Sequence, residues 1–146
     1  MPVFHQADAV QYETHGSRFQ SYIAPSRGSE QLCAWQLSVP ADLQGVAHRP
    51  SREEVLLVLT GELRVTLDGT TSVLHPGDVA LVPAQTELRV DAGPDGATAW
   101  VTTTPGLEAV TADGTPHPSA VGTLICSDSR SAVRRLGTRV RAGSWR

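Results

Sequence analysis

The sequence predicts an all-β chain folded as one double-sheet jelly roll or small barrel, and three observations carry that prediction. Apolar runs of strand length recur through residues 18–103, cut by Gly, Pro and Asp at short, regular intervals. Asp68-Gly69 stands between two alternating apolar runs, which is a strong hairpin signal. No convincing helical period precedes residue 128. Eight or more short strands without helices close best as a barrel or as paired sheets, because closure leaves few unpaired edges.

Taken in order, residues 1–17 carry no clear period. Residues 18–24 alternate well enough for a strand, ended by Pro25 and Gly28. Residues 32–39 form the next, with Cys33, Trp35, Leu37 and Val39 on one face and Ala34, Gln36 and Ser38 on the other. Pro40, Asp42 and Gly45 turn the chain into a short strand at 46–50. A strand at 54–59, a tight turn at Thr60-Gly61 and a strand at 62–67 lead into the Asp68-Gly69 hairpin. Residues 71–74, 78–82, 87–90 and 97–103 complete the set, separated by Pro76-Gly77, Pro83 and a turn at Gly93-Pro94-Asp95-Gly96. Residues 105–118 read as loop. Beyond them, Val133, Leu136 and Val140 are spaced as the narrow apolar stripe of one short Arg-rich helix over 128–142, capped by Ser129. The barrel domain is therefore taken as residues 1–120 and the basic tail as 121–146.

A chain of 146 residues is one domain, long enough to bury about two thirds of the surface its unfolded form exposes. All twelve cationic side chains are Arg. Residues 1–120 hold six of them against fourteen acids, near −8, whereas residues 121–146 hold six against Asp128 alone, near +5. Such a tail is expected to be a partly ordered, solvated charged end able to pack on the acidic body, and since no aromatic residues interleave its arginines and the body repels phosphate, no nucleic-acid partner is expected. No apolar run approaches the roughly 20 residues of a spanning helix, and Met1 to Val10 contain no apolar core of a signal segment. A cytoplasmic protein without a membrane partner is expected. Cys33 and Cys126 are too few for a stapled scaffold or a four-ligand zinc site, and inert thiols are expected.

The chemistry concentrates around residue 50. His48 enters the short strand, and Glu54 follows where the chain passes from polar loop into its most hydrophobic run. A carboxylate there is costly unless it has a use. Strand alternation puts His48 and Pro50 on one face and Arg49 on the other.

At these residues the chain resembles the two motifs of the cupin superfamily. In the first motif a His is followed by a second His two places on, by a Glu four places later, and then by Gly. The second has Gly, Pro and a last His. His48, Glu54, Gly61, Gly77 and Pro83 stand at matching positions. Pro50 falls where the second His belongs, Leu88 where the last one does, and Gln85 on the Gly that usually follows Pro83. The resemblance covers roughly residues 30–105 and implies the cupin double-stranded β-helix, in agreement with the strand pattern. It also implies that two of the four residues that hold a metal in many cupins are missing.

The motif implies that His48 and Glu54 point inward, sharing an apolar cup with Leu56, Val58, Leu81 and Leu88. The alternative is a Glu54 at the mouth, paired with Arg49 or Arg52, and a His48 that is merely a core histidine. Two ligands fall short of the three that most catalytic metal sites need, and His75 sits in a turn that faces solvent, so neither a metal nor another cofactor is expected. Burial raises a carboxyl pKa and a nearby imidazolium lowers it, so such a pair can be poised near neutrality, Glu54 as base and His48 as its partner. That chemistry suits an isomerase, epimerase, cyclase or lyase acting on a small organic substrate. A non-catalytic ligand-binding or sensor cupin is the alternative, and a metal-dependent dioxygenase is disfavoured by Pro50 and Leu88. Trp35 and Trp100 are candidates to stack on the substrate, with core packing as their alternative role. Tyr22, Gln36 and Arg27 are candidates to bind its polar groups. Arg49, Arg52, Arg64 and Arg89 are expected on the outer face. A homodimer is expected, because a strand at 18–24 would otherwise leave an open edge.

Overall fold

A computed structural model describes residues 2–111 together with Gly114 and Cys126. Among the described residues nine strands run β1 (Val10–Thr14), β2 (Ser17–Ile23), β3 (Cys33–Val39), β4 (His48–Pro50), β5 (Glu54–Leu67), β6 (Thr70–Leu74), β7 (Val79–Val82), β8 (Leu88–Thr103) and β9 (Ala109–Thr111). Every ladder is antiparallel. Two strands, β5 and β8, pair along their whole length and organise the rest. Their outer halves, residues 54–61 and 97–103, belong to an arm ordered β1-β2-β3-β8-β5-β7. Their inner halves, 63–67 and 88–92, belong to a second arm ordered β6-β5-β8-β4-β9. Alternation then fills the space between the arms: Trp35, Leu37, Val39, Leu56 and Val58 come from the first, and Leu63, Val65, Leu74 and Leu88 from the second.

The two turns expected at Thr60-Gly61 and Gly93–Gly96 are creases inside continuous strands. The β5–β8 register shifts at Val58/Thr60 and again at Gly61/Leu63, which is how a strand bends without ending. Gly61 has φ +75, and a Cβ there would collide with the carbonyl oxygen of Gly96, itself at φ +72. The sequence reads both glycines as breakers, whereas close backbone approach is what they provide.

Three further differences bear on the site. Strand β1 lies in the stretch that carries no clear period. It pairs with β2 through His15 (φ 47) and Gly16 (φ 79), both left-handed, as a two-residue hairpin requires. The edge of β2 is thereby covered within the chain, which removes the reason given for pairing residues 18–24 across a two-fold axis. Strand β9 lies in the expected loop 105–118 and pairs with β4, Pro50 opposite Ala109. The Asp68-Gly69 hairpin forms as expected, with φ 45 and 85. The helix over 128–142 falls outside the described residues, among which no helix is long and apolar enough to cross a membrane.

Candidate active site

The chain that delivers His48 is tied down before it reaches β4. Asp42 N–H donates to the Gly93 carbonyl and Ala92 N–H to the Leu43 carbonyl, both at 3.0 Å. Gly45 N–H donates at 2.8 Å to the buried Asp91 carboxylate, which the Arg89 guanidinium grips at 2.8 Å. A Cβ at Gly45 would strike the Val90 carbonyl, so only glycine lets the loop lie this close. Pinned in this way, His48 stands opposite Leu88 on β8.

The His48 Nδ1 lies 2.9 Å from the Val46 carbonyl oxygen. A carbonyl only accepts, so Nδ1 carries the proton and the Nε2 of the neutral ring keeps its lone pair. Burial lowers the His48 pKa from its ordinary 6.5, against the pull of the Val46 carbonyl, and electrostatic repulsion from His15 lowers it further. The ring is therefore neutral at pH 7.

Glu54 opens β5 between Val82 and Thr103, facing inward, and is 8% exposed. Burial pushes its carboxyl up to about 7. Among the described residues no hydrogen bond or ion pair reaches that carboxyl. The neighbouring Thr103 hydroxyl donates to the Glu53 carbonyl at 2.7 Å. Arg49 turns outward to the Gln85 carbonyl (3.0 Å) and the Glu87 carboxylate (3.4 Å). Arg52 lies against Gly106. Neither arginine neutralises Glu54.

Both side chains line one cavity of about 130 Å³ between the arms. Its polar lining is Thr14, His15, Ser17, His48 and Glu54, and Trp35, Leu56, Leu88, Val90 and Val101 are among its apolar walls. Cys126 is buried against Cys33, whose thiol, together with burial, pushes the Cys126 thiol pKa up. The Glu54 charge acts in the same direction, which puts this pair beside the carboxyl.

Of the residues expected in the pocket, the cavity joins Glu54, His48 and Trp35 but not Trp100, Tyr22, Gln36 or Arg27. Gln36 and Trp100 are ladder partners on the outward face, and the Tyr22 ring lies 5.4 Å from that of Trp100. Trp35 and Gln36 are adjacent in a strand and cannot share a face, so one of them had to leave the pocket. Arg27 lies 4.4 Å over the Phe4 ring and donates to the Ser21 carbonyl at 3.1 Å. Leu81 is likewise outward, 54% exposed, and Val82 takes the inward place beside Glu54. His15 was missed as a lining residue. Residues 1–17 carry no clear period, so no local signal placed it beside the cavity. His75 is exposed in its turn, 3.9 Å from both Glu62 and Asp78.

Residues 35–104 match the family model of the cupin domain. This chain carries a cupin domain. Solved structures with the same barrel include an RmlC-like cupin from Shewanella frigidimarina (22% identical, TM-score 0.62, covering 73% of this chain and 93% of that one). The polyketide cyclase RemF from Streptomyces resistomycificus is 18% identical with a TM-score of 0.64, covering 73% and 83%. A salicylate 1,2-dioxygenase from Pseudoaminobacter salicylatoxidans is 19% identical with a TM-score of 0.57, covering 63% of this chain and 26% of that one. A curated relative, the endoribonuclease YbeY of Myxococcus xanthus, is 30% identical over 69 residues, 47% of this cupin. The chain spans 24% of that relative's length.

The metal that many cupins hold does not fit the residues present. Pro50 and Leu88 bring only carbon to the cavity wall at two of the four ligand positions. Among the described residues no three His, Cys, Asp or Glu side chains come together in a way that could hold an ion.

Proposed function

We propose that this cupin is an acid/base enzyme that moves a proton within a small organic substrate held in the barrel, as an isomerase, epimerase, cyclase or lyase does. The observation that carries the reading is the Glu54 carboxyl, buried, reached by no hydrogen bond or ion pair among the described residues, and brought to about 7 in the same cavity as a neutral, oriented imidazole. Groups poised near the working pH are the most effective proton carriers. The ionised Glu54 takes a proton from the substrate, and the same carboxyl, now protonated, returns it to a second atom, so no proton is lost or gained. His48 Nε2 accepts a hydrogen bond from a substrate hydroxyl and holds it in register. Apolar walls exclude water, which keeps the carboxyl basic and the transferred proton from leaking.

The cavity, about 130 Å³, is close to the roughly 150 Å³ that admits one benzene-sized molecule, so the substrate is a single small ring or a short chain. Trp35 supplies a flat wall for it. The barrel is shared with a cyclase and with a dioxygenase, and it is the donor set that favours proton transfer.

The test is solvent exchange. A panel of small cyclic and short-chain carbonyl compounds is incubated in D₂O and followed by NMR. Wild type should exchange one substrate proton, and Glu54→Gln should slow this by at least about 100-fold while ligand affinity stays within about tenfold. Ligands that raise the melting temperature without any exchange would make the barrel a binding module instead, and an active Glu54→Gln would remove the base from the proposal.

A further inference from the structure

We propose that His15 holds a carboxylate of the substrate at the mouth of the barrel, so that the substrates are small carboxylic acids. This deepens the acid/base reading and rests on it for the substrate's place in the cavity. The tip of the β1–β2 hairpin is an uncommon place for an imidazole. His15 and Gly16, at φ 47 and 79, make a two-residue turn whose positions are both left-handed, where Asn-Gly or Gly-Gly is the usual pair. An imidazole kept where asparagine or glycine serves the backbone better points to a use for the ring. A Cβ at Gly16 would meet the Leu43 Cδ1 at 3.1 Å, so the turn sits against the loop that delivers His48. That seating brings two imidazoles, far apart in sequence, to one cavity, where His48 feels the repulsion of His15.

The cavity has a wet end and a dry end. His15 is exposed and Glu54 is buried, yet both line it, so it runs from solvent at His15 to a floor at Glu54. Thr14 and Ser17, which flank the turn, line it too. The mouth thus offers an imidazole N–H and two hydroxyls as donors, and the apolar walls lie beyond. A ligand that matches has an acceptor-rich head and an apolar body.

Elimination selects the residue that takes the head. Three ionisable side chains stand among the described lining residues: His15, His48 and Glu54. The Nδ1 proton of His48 is given to the Val46 carbonyl, and the lone pair on Nε2 repels an anion. Ionised, Glu54 repels it as well. His15 remains. Phosphate is a poorer match than carboxylate, because it is gripped by arginine forks and no arginine is among the lining residues described. With the carboxylate at His15, the hydrocarbon part of the acid fills the dry end and its carbon atoms point towards Glu54.

Calorimetric titration at pH 6, where the Glu54 carboxyl is largely protonated, compares cyclopentanecarboxylate with its neutral isostere cyclopentanecarboxamide. Wild type should bind the carboxylate about tenfold more tightly or better, the effect of one hydrogen bond to a charged group. His15→Gly suits the left-handed turn and should bring the two affinities within about twofold, with that for the carboxamide unchanged. A wild type that binds both probes equally, or neither, overturns the proposal, as does a preference that survives in His15→Gly. Equal loss of both ligands in that variant also overturns it, since His15 would then only shape the wall. The probes are read by binding alone, so the two proposals fail separately. Absence of solvent exchange with the carboxylate preference intact removes the proton transfer, and exchange without the preference removes the carboxylate site.

Discussion

His48 on β4 and Leu88 on β8 stand directly opposite one another in the antiparallel ladder. Two of the positions that hold a metal in many cupins therefore face each other across one strand spacing, and only one carries a donor. Restoring both missing donors, as Pro50→His with Leu88→His, adds two imidazoles to His48 and Glu54 and should make a four-ligand site. Metal analysis after dialysis against zinc or manganese should find about one ion per chain in the double variant and much less in wild type. An empty double variant would mean that the backbone at 50 and 88 no longer has ligand geometry.

Activity should follow the ionisation of Glu54. Its carboxyl titrates at about 7 in the folded protein, and His48, lowered from 6.5, is already neutral there. With Glu54 as base, kcat/KM rises with pH, is half-maximal near 7 and is flat above about 8. A half-point near the ordinary 4.5 would show that water reaches the carboxyl and would remove the burial argument.

The same shift makes Glu54 a liability to stability at alkaline pH. A carboxyl whose folded pKa, about 7, exceeds the unfolded 4.5 binds more protons when folded, so its contribution is full below 4.5 and is lost as pH rises through 7. The difference corresponds to about 3 kcal/mol. Glu54→Gln should therefore be more stable than wild type by about that amount at pH 8, with the gap closing towards pH 4.5, in urea titrations across the range. His48 acts in the opposite sense, its contribution fading as pH falls below 6.5, but it is present in both proteins and cancels. A gap that does not vary with pH would refute the linkage.

The crease in β5 depends on one missing methyl group. Gly61→Ala asks a left-handed position to carry a Cβ that meets the Gly96 carbonyl oxygen. A loss on the order of 2–3 kcal/mol is expected in thermal or urea unfolding. Gly69→Ala is the control, also left-handed at φ +85 but open to solvent, and should cost about 1 kcal/mol. Equal losses would mean that the close approach contributes nothing.

The barrel was legible because its walls are written in alternation: Cys33, Trp35, Leu37 and Val39 fall inward as their spacing requires. Its creases were not, since a glycine that breaks a strand and one that lets two strands touch look identical in one dimension. The site was half legible. His48 and Glu54 share the cavity because their strands flank β8, and the family spacing encodes that juxtaposition. Trp100, Tyr22 and Gln36 were assigned to the pocket by chemistry alone, and their parity along β8, β2 and β3 sends them outward. His15 was out of reach because nothing local says that the β1–β2 hairpin folds over the cavity mouth.

Cys126 comes late in the chain yet rests against Cys33 beside the Glu54 carboxyl. Cysteines from distant parts of the chain thus meet in the core. On a ribosome the strands that hold Glu54 are made well before the thiol that comes to rest near them. The contact between the two thiols therefore closes only once residue 126 has been made.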